Sequence, residues 1–287
     1  TSYATKKSDT LLYKTRKIRK GKGVVTATPY TRLNGPSNIG NKQLEIDNIL
    51  YACTEENSVS DIKNMIGRNV VYYYYDDGGA SSHEIVLFQE NIDIDDAITI
   101  KAQYIDTIEN NYLYYWKSQD KTKKTSRVKL SAGISVIYNG KASPQMRLPE
   151  NGQITLLGSQ RADGCNVALI PSYEDFVVHY INLNDKKISN KYSNTNILSL
   201  DEADKELVQI KDADGQRASI SDIRQWNVLA VAKSIDEKLI EVIIIDHKVS
   251  GEVTETSQDE DVKTAVIDNQ PYDIAKGSPV EAGIVNG

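Results

Sequence analysis

The sequence predicts an all-β fold of tandem small β-sandwich or barrel-like domains with short helical turns. Residues 23–28 (GVVTAT) recur as residues 251–256 (GEVTET), and each copy precedes a second matching block, residues 44–48 (LEIDN) or 265–269 (AVIDN). Self-similarity of this kind is the signature of repeat architectures. Seventeen Tyr stand against two Phe and two Trp, and Tyr suits strands that have one apolar and one wet face.

The first copy contains four predicted strands, each bounded by turn residues: residues 11–28, 43–46, 69–75 and 84–88. Asp47-Asn48 predicts the turn after the second strand, and residues 76–79 (DDGG) predict the hairpin turn between the last two. Between these turns, Ser60 or Asp61 is predicted to cap a single helical turn that ends at Gly67.

The rest of the chain continues with short predicted strands: residues 97–102, 104–108, 112–117, 127–130, 134–138, 153–157, 166–170, 174–181, 208–211, 217–220, 228–233 and 239–245. Asn139-Gly140 is the strongest hairpin signal, and Asn151-Gly152 predicts another turn. Residues 221–223 (SDI) repeat residues 60–62, so a second helical turn is predicted before the 228–245 hairpin.

The repeats divide the chain into four predicted parts. These are a basic entry arm (1–22), a first β-domain (23–130), a second β-domain (131–250) and a partial third β-repeat (251–287). A half-repeat cannot close its own core. The sequence therefore predicts that this polypeptide is cut from a longer one, or that a neighbouring subunit completes the last repeat.

Charge is spread unevenly along the chain. Residues 1–22 carry +7 and the whole chain carries −6, which leaves −13 for the remainder. Such asymmetry predicts that the basic arm of one copy contacts the acidic body of the next, through Lys14, Arg16, Lys17, Arg19 and Lys20. The alternative is an edge strand that lysines protect from aggregation. Nucleic acid is not a predicted partner, because the body is acidic and no aromatic residues interleave with the basic ones.

No catalytic constellation is evident, so the protein is predicted not to be an enzyme. His83, His179 and His247 fall in different strands without an acid–base pattern. Cys53 and Cys165 lack metal or redox spacing and are predicted to be ordinary buried residues, with a disulfide between repeats as the alternative. No apolar run approaches the ~20 residues that a membrane span needs.

No cofactor is predicted, with calcium at acidic turns as the alternative. Solvated turns are the expected interpretation of the acidic groups, although extracellular modules collect calcium at such places. The groups are Asp93, Asp95 and Asp96; Asp201, Glu202 and Asp204; Asp212 and Asp214; and Asp259, Glu260 and Asp261.

The order of these motifs resembles the β-domains of surface-layer (S-layer) proteins of Gram-positive bacteria, which often accompany S-layer homology modules. The matching order is Gly-x-Val-Thr-x-Thr, Ile-Asp-Asn-x-x-Tyr, Ser-Asp-Ile and a Tyr-rich strand. Further matches are residues 136–141 (VIYNGK), 149–157 (PENGQITLL), 172–178 (SYEDFVV) and 221–232 (SDIRQWNVLAVA). The resemblance covers most of residues 23–275, and the S-layer homology modules are absent from this sequence.

One departure from the resemblance concerns calcium. Where similar proteins carry an acidic calcium-type loop, residues 158–166 (GSQRADGCN) hold one Asp beside an Arg. A hard cation needs several oxygen ligands at close spacing, so calcium is not expected at this loop.

The resemblance implies a structural, extracellular cell-surface protein that forms a lattice or sheath through protein–protein contacts, with cell-wall polymer bound by regions outside this chain. Aromatic strand faces are predicted at the contacts: Tyr73, Tyr75, Tyr112, Tyr114 and Trp116. The alternative is a glycan-binding or adhesive module of a phage tail, spore or cell surface. It would use Tyr112, Tyr114, Tyr115 and Trp116 as a flat platform.

Overall fold

A computed structural model describes residues 2–3, 14–15, 17–53, 62–75, 83–90, 96–118, 120–245, 249–259 and 262–274. Within these ranges the chain consists of β-strands and short 3₁₀ turns, without a helix of seven or more residues. The predicted all-β class is therefore confirmed. The chain forms two compact units, one of Thr1–Ser172 with Ser234–Leu239 and one of Tyr173–Lys233 with Ile240–Gly287.

The first unit opens with a short strand pair and a closed five-stranded barrel. In the pair, β1 (Ser2–Tyr3) lies antiparallel to β2 (Lys14–Thr15). The barrel strands are β3 (Ile18–Ala27), β4 (Gln43–Ile46), β5 (Ile49–Cys53), β6 (Asn69–Tyr75) and β7 (Glu84–Glu90), joined in the order β3-β4-β5-β7-β6. Apolar side chains of the alternating strands fill its interior: Val25, Leu44, Ile46, Tyr51, Val70, Tyr72 and Ile85.

A short 3₁₀ turn, Lys63–Met65, lies between β5 and β6 and places Ile62 in the barrel core. It agrees with the predicted helical turn, while the predicted caps Ser60 and Asp61 lie outside the described residues. The predicted turn at residues 76–79 also lies outside them. The predicted pairing of the strands on either side of that turn is confirmed, because Tyr72 lies opposite Phe88.

Strand β3 has a different neighbour at each end. Its first part, Ile18–Val24, pairs with β6, and its second part pairs with β4 through Val25 and Ala27. Asp47 and Asn48 then reverse the chain at φ 49° and 64°, as two-residue hairpin turns require. Gly23 allows close approach here, because a Cβ would overlap the Asp47 carboxylate and lie 2.6 Å from Ile46 Cγ2.

A second sheet completes the first unit. Its strands are β8 (Ala97–Lys101), β9 (Ile105–Glu109), β10 (Tyr112–Tyr115), β11 (Ser126–Tyr138), β12 (Lys141–Ser143), β13 (Asn151–Leu157) and β14 (Cys165–Ile170). Strands β11 and β14 pair in parallel, and a core of Ile100, Leu113, Ile154, Leu156 and Cys165 lies beneath them. Ile66 of the barrel packs against Ile137 and Val167 of this sheet.

Two turn predictions in this sheet have different outcomes. Asn139-Gly140 does form a hairpin, with Tyr138 opposite Lys141. Asn151-Gly152 does not form a turn but begins β13, so that prediction was wrong. Gly152 has φ 116°, a value that glycine adopts without steric cost, and the chain continues in an extended conformation.

The second unit is built from β15 (Ser172–Asn182), β16 (Lys187–Asn190), β17 (Ser193–Ser199), β18 (Leu207–Lys211), β19 (Val228–Lys233) and β20 (Leu239–Ile245). The β19–β20 hairpin was predicted, whereas β16 and β17 were missed. Phe176, Val178, Ile188, Leu229 and Val242 form part of its core.

The prediction of a strand at residues 217–220 was wrong. Only Arg217 bridges to Lys211, and a 3₁₀ turn follows at Ile220–Asp222. The Asp222 carboxylate accepts hydrogen bonds from the Ser219 backbone N–H and hydroxyl, at 2.8 and 2.7 Å. This local capping competes with a strand ladder for the same backbone groups.

A separate three-stranded sheet ends the described chain and belongs to the second unit: β21 (Val253–Asp259), β22 (Val262–Ile267) and β23 (Gln270–Ile274). Val253 lies opposite Ile267, as Val25 lies opposite Ile46 in the barrel. Asp268 and Asn269 reverse the chain at φ 48° and 63°, almost as Asp47 and Asn48 do. The sequence repeat therefore corresponds to a repeated local structure.

The predicted domain limits differ from the divisions of the structure. The limit between residues 130 and 131 falls inside β11, and the compact units divide after Ser172.

Candidate interaction surfaces

The predicted basic contact residues lie around the start of β3. Lys17, Arg19 and Lys20 are exposed, Lys14 is in β2, and Arg16 lies outside the described residues. Ile18 between them is 42% exposed. Cross-strand pairing brings Lys20 Nζ to 5.7 Å from the Tyr73 ring centroid. The surface is therefore a basic strand with one exposed apolar side chain.

The two tyrosines predicted on β6 have different environments. Tyr73 is half-buried beneath Lys20, whereas Tyr75 is buried, with 9% exposure. Simple alternation predicts that both face the same way. The pairing of β6 with β3 is unbroken here, with Tyr73 opposite Lys20 and Tyr75 opposite Ile18, so alternation places both tyrosines on the same face. The register shift between β6 and β7 leaves its extra residue, Val86, on β7. The low exposure of Tyr75 nevertheless corrects it from a surface residue to a buried one.

Of the predicted aromatic residues of β10, Tyr112 and Tyr114 lie side by side, whereas Tyr115 packs against the core of the second sheet. Tyr112 and Tyr114 are half-buried with ring centroids 6.4 Å apart, while Leu113 between them is fully buried. Arg127 of β11 lies opposite Tyr114 and places its Cζ 4.5 Å from the Tyr112 ring centroid. Trp116, also half-buried, has Lys121 Nζ 5.2 Å from its ring centroid.

Arg127 and Lys121 were not predicted as members of this surface. The polar turn between β10 and β11 predicts antiparallel pairing of the two strands. That pairing aligns Arg127 with Tyr114 and could have identified Arg127 as a member of the surface. Cation–π contacts of this kind contribute about 0.5–1 kcal/mol at exposed sites. The face is therefore a mixed aromatic and cationic surface.

The C-terminal sheet carries exposed versions of residues that are buried in the barrel. Val253 is 46% exposed where its barrel counterpart Val25 is 0% exposed. Tyr272 is 36% exposed where Tyr51 is 3% exposed. In the barrel, β6 and β7 cover this face, and the Tyr51 hydroxyl lies 2.9 Å from that of Tyr72 on β6.

The two copies also share a hydrogen-bonded joint between the Gly-x-Val-Thr and Ile-Asp-Asn motifs. Asp47 Oδ1 accepts a hydrogen bond from the Val24 N–H, and Asp268 Oδ1 accepts one from the Glu252 N–H, each at 3.0 Å. A carboxylate that accepts backbone N–H groups fixes the turn and relieves an otherwise unsatisfied donor. The joint is therefore built locally, with or without a complete barrel around it.

The barrel copy has additional hydrogen bonds and an ion pair at this joint. Glu45, which is buried, accepts hydrogen bonds from Thr26 Oγ1 and Arg32 NH2, both at 2.8 Å. The equivalent position of Glu45 in the C-terminal copy is Val266, whose backbone oxygen accepts a 3.4 Å hydrogen bond from Thr254. The second copy therefore has the turn but has no counterpart of the Glu45 carboxylate that pairs with Arg32.

Several carboxylates of the acidic groups, for which calcium was the alternative, accept hydrogen bonds from the backbone. Asp212 Oδ1 accepts hydrogen bonds from the Asp214 and Gln216 N–H groups, and Asp201 Oδ1 accepts one from the Ala203 N–H. Asp93, Asp95, Glu260 and Asp261 lie outside the described residues. Within the described ranges, no group of three His, Cys, Asp or Glu side chains is placed to hold a metal ion.

The loop that departs from the calcium pattern contains an ion pair. Arg161 Nε and NH2 donate to the two carboxylate oxygens of Asp163 at 3.1 and 3.2 Å. The hydrogen bonds from Arg161 lower the pKa of Asp163 below its ordinary value. The only carboxylate of residues 158–166 is thus already paired with a cation.

The remaining reactive side chains in the described ranges lie in separate environments. Cys53 and Cys165 are buried and unbonded to each other, and burial raises the pKa of both thiols, that of Cys53 to about 11. His83 packs beside Tyr51 and Tyr74, with ring centroids 5.6 and 5.3 Å away. His179 is exposed on β15, and His247 lies outside the described residues.

Comparison with known proteins does not assign the chain to a family. No family model, no curated protein and no solved structure matches it. Of the helices in the part of the chain described here, none has the length and apolar character to cross a membrane.

Proposed function

We propose that this chain is a structural protein of the cell surface that assembles with copies of itself into a lattice or sheath. Protein–protein contacts between β-domains would hold the assembly together. The observation that carries the proposal is the segregation of charge: residues 1–22 are strongly basic, and the rest of the chain is acidic. Lys17 and Lys20 present the basic charge on an exposed strand.

Charge of opposite sign on two parts of one chain favours association between copies, because each copy supplies both halves of the contact. Exposed strands add backbone groups to such a contact. The motif order that resembles S-layer β-domains supports the same class of function. Extracellular location and a wall polymer as anchoring partner follow from this resemblance and are part of the proposal.

The test is electron microscopy of the purified full chain together with a charge-neutralised variant. Deleting residues 1–22 is unsuitable, because β3 begins at Ile18 and its first part pairs with β6. We would instead combine Lys14→Gln, Lys17→Gln and Lys20→Gln. The wild-type chain should form ordered sheets or filaments, and the variant should remain dispersed.

A matched control neutralises three lysines outside the basic strand, by Lys101→Gln, Lys187→Gln and Lys238→Gln. This variant should assemble like the wild type. A wild-type chain that stays monomeric at all concentrations would contradict the proposal, as would assembly that the two variants affect equally.

A glycan-binding module is the second candidate, and the β10 surface favours it. Tyr112 and Tyr114 lie side by side with Arg127 at the Tyr112 ring, and Trp116, just after β10, has Lys121 at its ring. Aromatic faces beside cations suit acidic saccharides. A glycan-array signal that Trp116→Ala abolishes while assembly stays intact would support glycan binding. A signal that Trp116→Ala leaves unchanged would contradict it.

A further inference from the structure

The C-terminal sheet is an open copy of the structure that the barrel closes. In the barrel, β6 pairs with the first part of β3, and β7 pairs with β5. In the C-terminal sheet, β21 and β23 each pair with β22, and among the described residues their outer edges have no strand partner. The strands equivalent to β6 and β7 are thus missing from this copy within the described chain.

The face that corresponds to the barrel core is apolar and only partly covered: Ala265, the counterpart of Leu44, is buried, but other positions are not. Val253 and Tyr272, the counterparts of Val25 and Tyr51, are 46% and 36% exposed. Ile267, the counterpart of Ile46, is half-buried. Exposed strand edges beside an apolar face form a template on which another strand can pair.

The charge around this face identifies its occupant. Residues 250–274 contain seven carboxylates and one lysine, and Glu252 and Glu255 are exposed. Residues 14–22 contain six basic residues and no acidic one. The basic strand also offers an apolar side chain, Ile18, between Lys17 and Lys20. It is therefore complementary to the open sheet in both charge and hydrophobicity.

We infer that the basic strand of a second copy, at residues 17–22, docks on the open C-terminal sheet. Ile18 packs against Val253 and Tyr272, and the flanking lysines pair with Glu252 and Glu255. This inference rests on the proposed self-assembly and specifies its contact. Because two different surfaces meet, the contact is heterologous, and it propagates head to tail unless the rotation closes a ring.

Zero-length cross-linking tests the contact directly. A carbodiimide joins lysine amines to carboxylates, and an equal mixture of ¹⁴N- and ¹⁵N-labelled full chain marks intermolecular products by mass. We expect mixed-isotope peptides that join Lys17 or Lys20 to Glu252 or Glu255. Cross-links that map only to other pairs of residues would overturn the inference.

A charge exchange tests the same contact in solution. The variants Lys17→Glu/Lys20→Glu and Glu252→Lys/Glu255→Lys should each need at least about tenfold more protein to associate, because like charges then face each other. Mixing the two variants restores opposite charges at every contact, so association should return. Lys187→Glu/Lys238→Glu is the matched control and should associate like the wild type.

The outcomes separate this inference from the proposed function. Ordered wild-type assemblies that neither the charge exchange nor its rescue affects would overturn the docking and leave self-assembly standing. A wild-type chain that never associates would overturn both. Circular dichroism and thermal melts of each variant establish that the substitutions, all at exposed positions, leave the fold intact.

Discussion

At the scale of single residues, the repeated joint depends on glycine and aspartate acting together. Asp47 and Asp268 each adopt positive φ and accept a backbone hydrogen bond. The glycine opposite each one, Gly23 or Gly251, leaves the room that the carboxylate occupies. The Gly-x-Val-Thr and Ile-Asp-Asn motifs, although separated along the chain, are therefore in direct contact in the structure.

A methyl group at Gly23 should destabilise the barrel. Its Cβ would overlap the Asp47 carboxylate and lie 2.6 Å from Ile46 Cγ2, and overpacking of this kind costs about 1–3 kcal/mol. We expect Gly23→Ala to lower the free energy of unfolding of the first unit by that amount in urea titrations. Gly133→Ala is the control, because nothing lies within 4 Å of its Cβ. Equal effects of the two substitutions would contradict the proposed steric role of Gly23.

The two cysteines should react slowly in the native protein. Burial raises the pKa of Cys53 to about 11 from 9.0, which reduces its thiolate fraction at pH 8 about a hundredfold. Burial also raises the pKa of Cys165. We expect labelling by a thiol reagent to be slow in buffer and fast in denaturant for Cys53→Ala and Cys165→Ala chains alike. Rapid native labelling of either remaining thiol would show that its site is open.

At the scale of elements, hydrogen-bonded turns decide where strands begin and end. The Ser219–Asp222 cap ends a run that would otherwise continue as a strand. The β19–β20 turn is fixed in a similar way. Asp236 Oδ1 accepts hydrogen bonds from the Ser234 hydroxyl at 2.6 Å and the Lys238 N–H at 3.1 Å.

This turn should lose stability in acid. Partial burial alone would raise the pKa of Asp236, but the hydrogen bonds from Ser234 and Lys238, with the charge of Lys141, lower it below 3.8. The ionised Asp236 carboxylate therefore contributes its full stabilisation above pH 3.8. This stabilisation is lost as the pH falls through the lower pKa that Asp236 has in the folded state. Because the carboxylate is half-exposed, we expect about 0.5–1 kcal/mol after solvent screening.

The measurement is the difference in unfolding free energy between wild type and Asp236→Asn at pH 6 and pH 2. The difference should be present at pH 6 and shrink at pH 2, where the wild-type carboxyl is protonated. Asp106→Asn, an exposed strand substitution, is the reference. A difference that does not change with pH would show that the Asp236 charge does not support the turn.

At the scale of the whole molecule, the repeated hairpin motif occurs once in a closed barrel and once in an open three-stranded sheet. The first copy is closed by β6 and β7 and locked by the Arg32–Glu45 ion pair at 2.8 Å. The second copy has the same hairpin joint but keeps part of its apolar face exposed. Opposite charge at the basic strand and at this open sheet provides a physical reason for copies to associate.

Association that depends on this charge should weaken with salt. The Debye length falls from about 10 Å at 0.1 M to about 3 Å at 1 M ionic strength, so attraction between exposed charges is screened. We expect the concentration for half-association to rise at least about tenfold between 50 mM and 500 mM NaCl, measured by analytical ultracentrifugation. The Lys14→Gln, Lys17→Gln, Lys20→Gln variant should lose most of this dependence. Association that strengthens with salt would indicate a mainly apolar contact instead.

Most of the strands, several of the turns and the repeat could be predicted from the sequence alone. Alternation, Asp-Asn and Asn-Gly pairs are local signals, so β6, the Asp47-Asn48 turn and the Asn139-Gly140 hairpin could be predicted from neighbouring residues. The polar strands β16 and β17 escaped prediction because their pairing is set by each other and by β15.

Contacts between residues distant in sequence determine which of these strands pair with one another. The barrel forms because β3 reaches β6 across some fifty residues of sequence, and no local pattern encodes such a pairing. The approach of Arg127 to Tyr112 likewise depends on the register between β10 and β11. Local chemistry fixes most strands and turns. The burial of Val25 and the exposure of Val253 depend instead on whether further strands, such as β6 and β7 of the barrel, cover them.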